Sequence, residues 1–515
     1  MKHWLLAGLL YGLAFPSWEG VELAPLAWIS LIPLLLPRSV RLPFWRYFYT
    51  ALLFGVFGSL IAGHWTLGNS WSLGLLAVAW HGLIVALPLW LFRWQVSKQG
   101  YTAGLFTLPF CWTAWEWFAA NNQPFFWGAL GATQSNQTWL VQFVDLTGVW
   151  GISFWIVALN AALAYQLAIN KYWAKSSVLT TIAATLCAFL FPPVLYAQWY
   201  IHAPTPRVKA ELRLVLLEPD AQQQAGEKAI YALMDTLDKR QLDMVVWPES
   251  IFPNMPFHNP DFADNIRRWD TPILISFIGN QPNMSRPGFD DQYAAAMMMD
   301  NATITRIMEG PVLTLLEPHY RKQRLVPHTE LQLIPDALLR LFPTLEQYLP
   351  ARMQYAKQSS PPLHLSTRTG QALTVSPLIC YEAVFPHLAA NAAHDGADAL
   401  FILANDIHFG ATESWQAASF ARLRAIETRR PVVRTSTSGV VGVIDYLGNW
   451  QMRDNSRQAG AYSVTVALTD TAPSVYGRWI DIFPKLCAMI TLLSFLMNHA
   501  SRHWRVSMYA NITHR

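Results

Sequence analysis

Charge is what this 515-residue chain has least of: Asp, Glu, Lys and Arg make up 14% of it, against 53% hydrophobic residues. Soluble chains carry about a quarter charged residues, so the composition excludes one large soluble enzyme and points to a membrane protein. The deficit is local, because residues 1–200 hold only twelve charged side chains and these fall between apolar runs. Cysteine is scarce too, at four residues, and a disulfide framework is excluded. Metal-ligand spacing, a glycine-rich phosphate loop and internal repeats are all missing, so neither a metal nor a cofactor is expected.

What is there begins with the apolar runs. They read as membrane spans near 3–16, 21–36, 47–67, 71–92, 101–120, 146–168 and 177–199, with an eighth near 482–500. The first two fall short of the roughly 20 residues that a perpendicular helix needs. Lys2, the Arg38/Arg41/Arg46 group, Arg93 with Lys98, Lys171 with Lys175, and Arg502 with Arg505 lie at alternate ends of this eight-span reading. The positive-inside rule then puts both termini in the cytoplasm and 201–481 outside it. The basic start and apolar core of the first run resemble a signal peptide, but no small-residue cleavage site follows Phe15, and we expect it to be retained. Three regions result: a seven-span domain (1–200), an external domain (201–481), and a last span with a short tail (482–515).

Residues 201–481 contain 25 Lys plus Arg against 29 Asp plus Glu, a net charge of −4, so the chain's +4 is set by the cytoplasmic loops. A nucleic-acid partner is excluded by that partition. Cys111, Cys187 and Cys487 fall in expected spans, leaving Cys380 as the lone thiol of the external domain. An unpaired thiol in an oxidising compartment is a hazard unless it is used. The external domain is expected to start after a proline-rich joint at 191–206 and to alternate strands (212–217, 243–247, 272–277, 293–299, 302–307, 371–379, 399–404, 431–436, 439–445, 461–467) with helices (226–240, 260–269, 384–394, 414–428). Periodicity alone makes this an α/β domain large enough for its own core.

Chemistry concentrates at three places. Val375-Ser-Pro-Leu-Ile-Cys380-Tyr381-Glu382 is an apolar run ending in a thiol, the composition of a buried strand that delivers a side chain at its carboxyl end. Met244-Val-Val-Trp247-Pro-Glu249-Ser250 ends a second run in a carboxylate, and the aperiodic segment 318–330 carries Lys322. Taken singly these are a space-filling thiol, a helix-capping carboxylate and a solvated lysine. Brought together, a carboxylate can take the thiol proton and an ammonium can stabilise thiolate and oxyanion.

The ordered set Trp-Pro-Glu249-Ser, Tyr320-x-Lys322-x-x-Leu-Val-Pro-x-x-Glu330 and Ile379-Cys380-Tyr381-Glu382 resembles the Glu-Lys-Cys triad of the nitrilase (carbon-nitrogen hydrolase) superfamily. Its Leu-Val-Pro and Cys-Tyr-Glu forms resemble the membrane branch, the bacterial apolipoprotein N-acyltransferases. Asn405-Asp406-x-His408-Phe409-Gly410, Trp415-Gln416, the run 421–431 and Arg434-Thr-Ser-x-Ser-Gly439 match that branch in order.

The resemblance implies a four-layer αββα sandwich beside the membrane helices, and a two-step acyl transfer with Glu249 as base, Lys322 as oxyanion partner and Cys380 as nucleophile. It implies that Glu330 holds Lys322, that Tyr381 and Glu382 brace the nucleophile's loop, and that Trp247, Tyr320, Asn405, His408, Phe409 and Trp415 are candidates to touch substrate. Glu116, in Trp112-Thr-Ala-Trp115-Glu116-Trp117-Phe118, resembles a Trp-x-x-Glu of the family and joins them; an interfacial glutamate among belt tryptophans stays open beside it. The partners implied are a phospholipid acyl donor, a diacylglyceryl-modified apolipoprotein acceptor and the bilayer of a bacterial inner membrane, with the catalytic domain periplasmic and the chain monomeric.

His408 departs from the family's tryptophan, Glu218-Pro219-Asp220 replaces a Gln-Gly-Asp type of turn, no tryptophan follows in 221–230, and Tyr476-Gly-Arg478-Trp-Ile-Asp481 keeps only part of a Tyr-x-Arg-x-Gly-Asp pattern. A membrane-anchored amidase and a non-catalytic transporter or structural protein are the alternatives. The apolar-rich insertion 331–362 is either a helix over the core or an amphipathic lid lining an acyl chain's route to Cys380.

Overall fold

The computed structural model describes residues 3–169, 175–219, 226–249, 251, 257, 259–282, 290–309, 319–327, 329–331, 341, 353–356, 360–407 and 409–496. The chain divides into two compact units, Met1–Ala203 with Asp481–Arg515, and Pro204–Ile480.

The helices of the first unit include, in chain order, His3–Leu13 (α1), Phe44–Ala62 (α2), Trp71–Gln99 (α3), Tyr101–Asn122 (α4), Val149–Ile169 (α5) and Lys175–Ile201 (α6). Among the described residues four helices are long and apolar enough to cross a membrane: α2, α3, α5 and the Ser177–Ile201 part of α6. The expectation of eight spans is thereby corrected, and the sequence shows why. The run 21–36 is no single helix: Pro25, Pro33 and Pro37 each open a new short piece, Ala24–Trp28, Ile32–Leu35 and Pro37–Val40, since proline has no N–H to give the preceding turn. His3–Leu13 and Ile482–Leu496 are apolar but short. Helix α4 has 22 residues, but three tryptophans, Glu116 and a terminal Asn121-Asn122 pair dilute it. Pro192 and Pro193, expected as a joint, lie inside α6; the unit boundary comes later, at Pro204. Helices α2 and α3 touch through glycines, for a Cβ on Gly55 would sit 2.2 Å from the Gly82 carbonyl oxygen, the small-residue contact by which helices associate in lipid.

The second unit contains two open six-stranded sheets. Its strands are Val208–Glu218 (β1), Met244–Val246 (β2), Ile273–Pro282 (β3), Asp290–Met299 (β4), Tyr320–Arg321 (β5), Leu363–Ser366 (β6), Ala372–Ile379 (β7), Ala399–Asn405 (β8), Val432–Thr437 (β9), Val441–Ile444 (β10), Trp450–Asp454 (β11) and Gly460–Thr469 (β12). They are ordered β12-β1-β2-β3-β4-β5 and β11-β10-β9-β8-β7-β6. The expected fold class is corrected in its span count: among the described residues four long apolar helices, not eight, accompany a unit of two open sheets.

Period-two alternation sorts the strand residues. Leu212, Leu214 and Leu216 join Val375, Phe401, Leu403 and Val433 of the other sheet in one core. Val215 and Leu217, one residue out of phase, pack instead under Gly226–Thr236 (α7), Pro260–Trp269 (α8) and Asn301–Glu309 (α9) through Ile230, Met234, Phe262, Ile266, Ile304 and Ile307. Helix α9 stands where a strand is expected from the sequence. Its buried positions Thr303, Ile304 and Ile307 have helical spacing, and Asp300 caps it by accepting the Thr303 N–H at 2.7 Å. The central strands β1-β2-β3 and β7-β8-β9 run parallel, which sends the ends of β2 and β7 to hold the chemistry.

Candidate active site

Strand β7 ends at Ile379, and the chain turns at once into a short 3₁₀ segment, Cys380–Val384. Cys380 stands in this turn at φ +52°, the left-handed region that a side chain avoids, at a cost of about 1 kcal/mol or more. Glu382 holds the turn. Its buried carboxylate accepts the Ile379 N–H at 2.7 Å, the Gln323 N–H at 2.6 Å, the Arg324 N–H at 3.3 Å and the Tyr320 hydroxyl at 2.9 Å. One side chain thus ties the nucleophile's turn to the segment carrying Lys322. Burial, opposed by the donated N–H groups, pushes Glu382 up to about 7.

Lys322 follows β5 and is fully buried. Its backbone N–H donates to the Ala294 carbonyl and its own carbonyl accepts the Ala356 N–H, both at 2.9 Å, so the ammonium leaves from a fixed backbone. It donates to Glu249 at 3.0 Å and to Glu330 at 2.8 Å. Glu330 accepts the Val326 N–H at 2.8 Å with its other oxygen, closing its own loop. Glu249 lies three residues past β2, with its N–H on the Ala404 carbonyl of the other sheet at 3.2 Å, and its carboxylate acts electrostatically on the Cys380 thiol.

Electrostatics assign the resting protons. Burial works against the Lys322 ammonium, but Glu249, Glu330 and Cys380 outweigh it and hold its pKa well above the ordinary lysine value. Burial first, then the Glu249 carboxylate, pushes the Cys380 thiol well up, against Lys322. Glu249 is raised as well, by burial and by Glu330. The cluster therefore rests with a protonated thiol beside a carboxylate made more basic than usual, the arrangement a general base needs. A cavity of about 240 Å³ adjoins it, lined by Glu249, Ser276, Gln292, Glu330, Met353 and Ile379 among others.

The other candidates scatter. Trp247 is fully buried under α7 and α8, among Tyr231 and Trp269: the alternation that aims Val246 at the other sheet turns Trp247 toward the helices. Tyr320 is core as well, with its hydroxyl on Glu382. Trp415 packs with Ala418 and Val440, 5.1 Å beneath the Arg453 guanidinium. Tyr381 stacks edge-on against Phe385. Asn405 ends β8 and accepts the Ile407 N–H at 3.3 Å, and Phe409 caps Gly410–Thr428. His408 and most of 331–362 lie outside the described residues. Glu116 belongs to the first unit, where it accepts the Trp112 indole and the Leu130 N–H at 2.8 Å each and fastens the buried 129–135 loop.

A second buried group joins residues of three motifs, around Glu218, Asp406 and Arg434, whose pairing with one another the sequence does not state. Asp406, fully buried, accepts Arg434 at 2.7 Å and the Ser414 hydroxyl at 2.6 Å. Gly439 closes over it, where a Cβ would stand 2.0 Å from the Asp406 carboxylate. Close by, Glu218 accepts the Gly439 N–H at 3.2 Å. Burial chiefly, with Asp454 and Asp406, pushes it up to about 8 against the Gly439 N–H and Tyr462. A carboxyl raised in the folded state from its ordinary value near 4.3 stabilises the fold below that value and loses the contribution as pH rises toward 8. Glu218→Gln keeps an acceptor for Gly439 without the charge. Its melting temperature should therefore exceed that of the parent at pH 8.5 and match it near pH 4.5; equal melting at both values would show that Glu218 is not a buried acid.

The family model for the apolipoprotein N-acyltransferase N-terminal domain matches residues 7–162, and that for carbon-nitrogen hydrolases matches residues 217–467. An apolipoprotein N-acyltransferase of Chlorobaculum tepidum is 30% identical over 514 residues, covering 94% of this chain and 93% of its own. That of Geobacter metallireducens is 25% identical over 519 residues, covering 95% and 94%. Apolipoprotein N-acyltransferase 1 of Treponema denticola is 25% identical over 547 residues, again covering 95% and 94%.

Proposed function

Because the chain belongs to the apolipoprotein N-acyltransferase family, we propose that it moves an acyl chain from a phospholipid, through a thioester on Cys380, to the α-amine of a diacylglyceryl-modified N-terminal cysteine. The observation that supports this most is the Lys322 ammonium shared by Glu249 and Glu330 beside a thiol held at positive φ. Glu249 takes the thiol proton, and the sulfur attacks the ester carbonyl. The oxyanion that forms is stabilised by Lys322. Collapse breaks the ester C–O bond, and the lysophospholipid oxygen leaves with the proton from Glu249. In the second step the acceptor amine attacks the thioester, one of its protons passing to Glu249, and the C–S bond breaks as the C–N bond forms.

The membrane setting is part of the proposal. The long apolar helices suit a donor that stays in the bilayer, since exposing each CH₂ to water costs about 0.8 kcal/mol. The Lys and Arg distribution favours the bacterial inner membrane with residues 204–480 on the periplasmic side. The test uses the purified full-length protein and a phospholipid radiolabelled in its acyl chain. Label is expected on the protein, released by neutral hydroxylamine and discharged by a diacylglyceryl-cysteinyl peptide. Discharge by water at the same rate without peptide would favour a hydrolase instead.

A further inference from the structure

Among the described residues near Cys380, each cation already has an acceptor. Lys322 is committed to Glu249 and Glu330. Arg434 is committed to Asp406 and the Val440 carbonyl, and Arg457 donates its Nε–H to Ser438 at 3.0 Å. One carboxyl group is left over. Glu413 sits in the first turn of Gly410–Thr428 (α11, after Pro386–His394, α10) and is 5% exposed, and its Oε2 is buried without a hydrogen-bond partner among the described residues. The charged groups facing it are Asp406, Arg434, Arg457 and Glu249, and it acts in turn on the Cys380 thiol. Buried polar groups are almost always partnered, and an orphan within electrostatic reach of a nucleophile asks for a ligand.

We propose that Glu413 receives the α-ammonium of the acceptor and positions its nitrogen for attack on the Cys380 thioester. The inference rests on the two-step transfer above and assigns the residue that recognises the second substrate. In the free protein burial, with Asp406, holds the Glu413 carboxyl well above the carboxylate range, so it keeps its proton. An α-amine, with an ordinary pKa of about 7.7–8.0, arrives largely as ammonium. It supplies a cation for an ionised Glu413 to pair with, and Glu413 gives its own proton to water as the ion pair forms. One ammonium proton then passes to Glu249 and the neutral nitrogen attacks. The C–S bond breaks as the C–N bond forms, the second nitrogen proton ends on the Cys380 sulfur, and Glu249 returns its proton to solvent. A phospholipid with an ethanolamine headgroup also carries an ammonium, so the experiment separates the two sources.

Full-length wild type, Glu413→Gln and Glu413→Asp are acylated in micelles with labelled phosphatidylethanolamine or phosphatidylglycerol, and thioester formation is timed. Discharge is then followed with a diacylglyceryl-cysteinyl peptide and with hydroxylamine, a nucleophile uncharged at neutral pH. Relative to thioester formation, the peptide concentration for half-maximal discharge should rise about tenfold or more in Glu413→Gln, the loss of one charge-assisted hydrogen bond. Glu413→Asp should recover part of it, and hydroxylamine should not distinguish the three proteins. Peptide discharge unchanged in Glu413→Gln overturns the proposal, as does a slowing of hydroxylamine and peptide alike, which would make Glu413 structural. Slower acylation by phosphatidylethanolamine alone would assign the ammonium to the donor and overturn it too. Absence of a thioester in the wild type would sink the two-step reading itself, and this inference with it.

Discussion

Cys380→Ala is expected to take up no hydroxylamine-releasable label from a radiolabelled phospholipid, and its acyl-transfer turnover should fall by about 10⁴-fold or more, as loss of a covalent nucleophile does elsewhere. The structure makes the test clean. Alanine keeps the Cβ that already meets the strain at φ +52°, and the Glu382 hydrogen bonds that shape the turn do not involve the sulfur. The variant should therefore melt close to the parent temperature. Acyl transfer at parental rate by Cys380→Ala would remove the thioester from the mechanism, whatever the family. Cys380→Ser should be nearly as poor, because a hydroxyl is a weaker acid than the thiol and Glu249 is matched to the latter.

Lys322→Ala carries the second large effect. Among the described residues the ammonium is the one cation that both Glu249 and Glu330 contact, at 3.0 and 2.8 Å, and it is wholly buried. Its removal deletes an oxyanion partner and a countercharge together. A lost oxyanion donor costs about 10²–10³ in rate, and that fall is expected in single-turnover thioester formation. The two carboxylates are then left without their shared countercharge, and one takes up a proton. Glu249 would cease to be a base at neutral pH, and breaking a buried ion pair costs about 3–5 kcal/mol of stability. A Lys322→Ala protein forming thioester within twofold of the parent rate would show that the ammonium only fills space. Lys322→Arg is expected to rescue poorly, since a planar guanidinium does not fit where a compact ammonium bridges two carboxylates.

The order of the site along the chain is legible in the amino-acid sequence. Each of Glu249, Lys322 and Cys380 is announced locally, by a hydrophobic run that ends in it or by a segment that cannot pack as a helix. The scarcity of charge in residues 1–200 is likewise a property of composition. Such features are additive over neighbouring residues, so a sequence states them outright.

What only the tertiary structure decided is everything that depends on a partner far away in the chain. Lys322 and Glu249 are 73 residues apart, and the brace that makes Glu382 more than another acidic residue joins it to Gln323 across 59. Hydropathy counts eight spans where, among the described residues, proline-opened short helices and a tryptophan-rich α4 leave four long apolar ones. Trp247 packs under the helices and not between the sheets, because the face a side chain takes follows from the sheet it joins. Glu413 reads as any glutamate just before an expected helix, and its orphaned oxygen exists only where Arg434 has already gone to Asp406. Burial and pairing are sums over neighbours that folding selects, and for a buried charge those sums decide the chemistry.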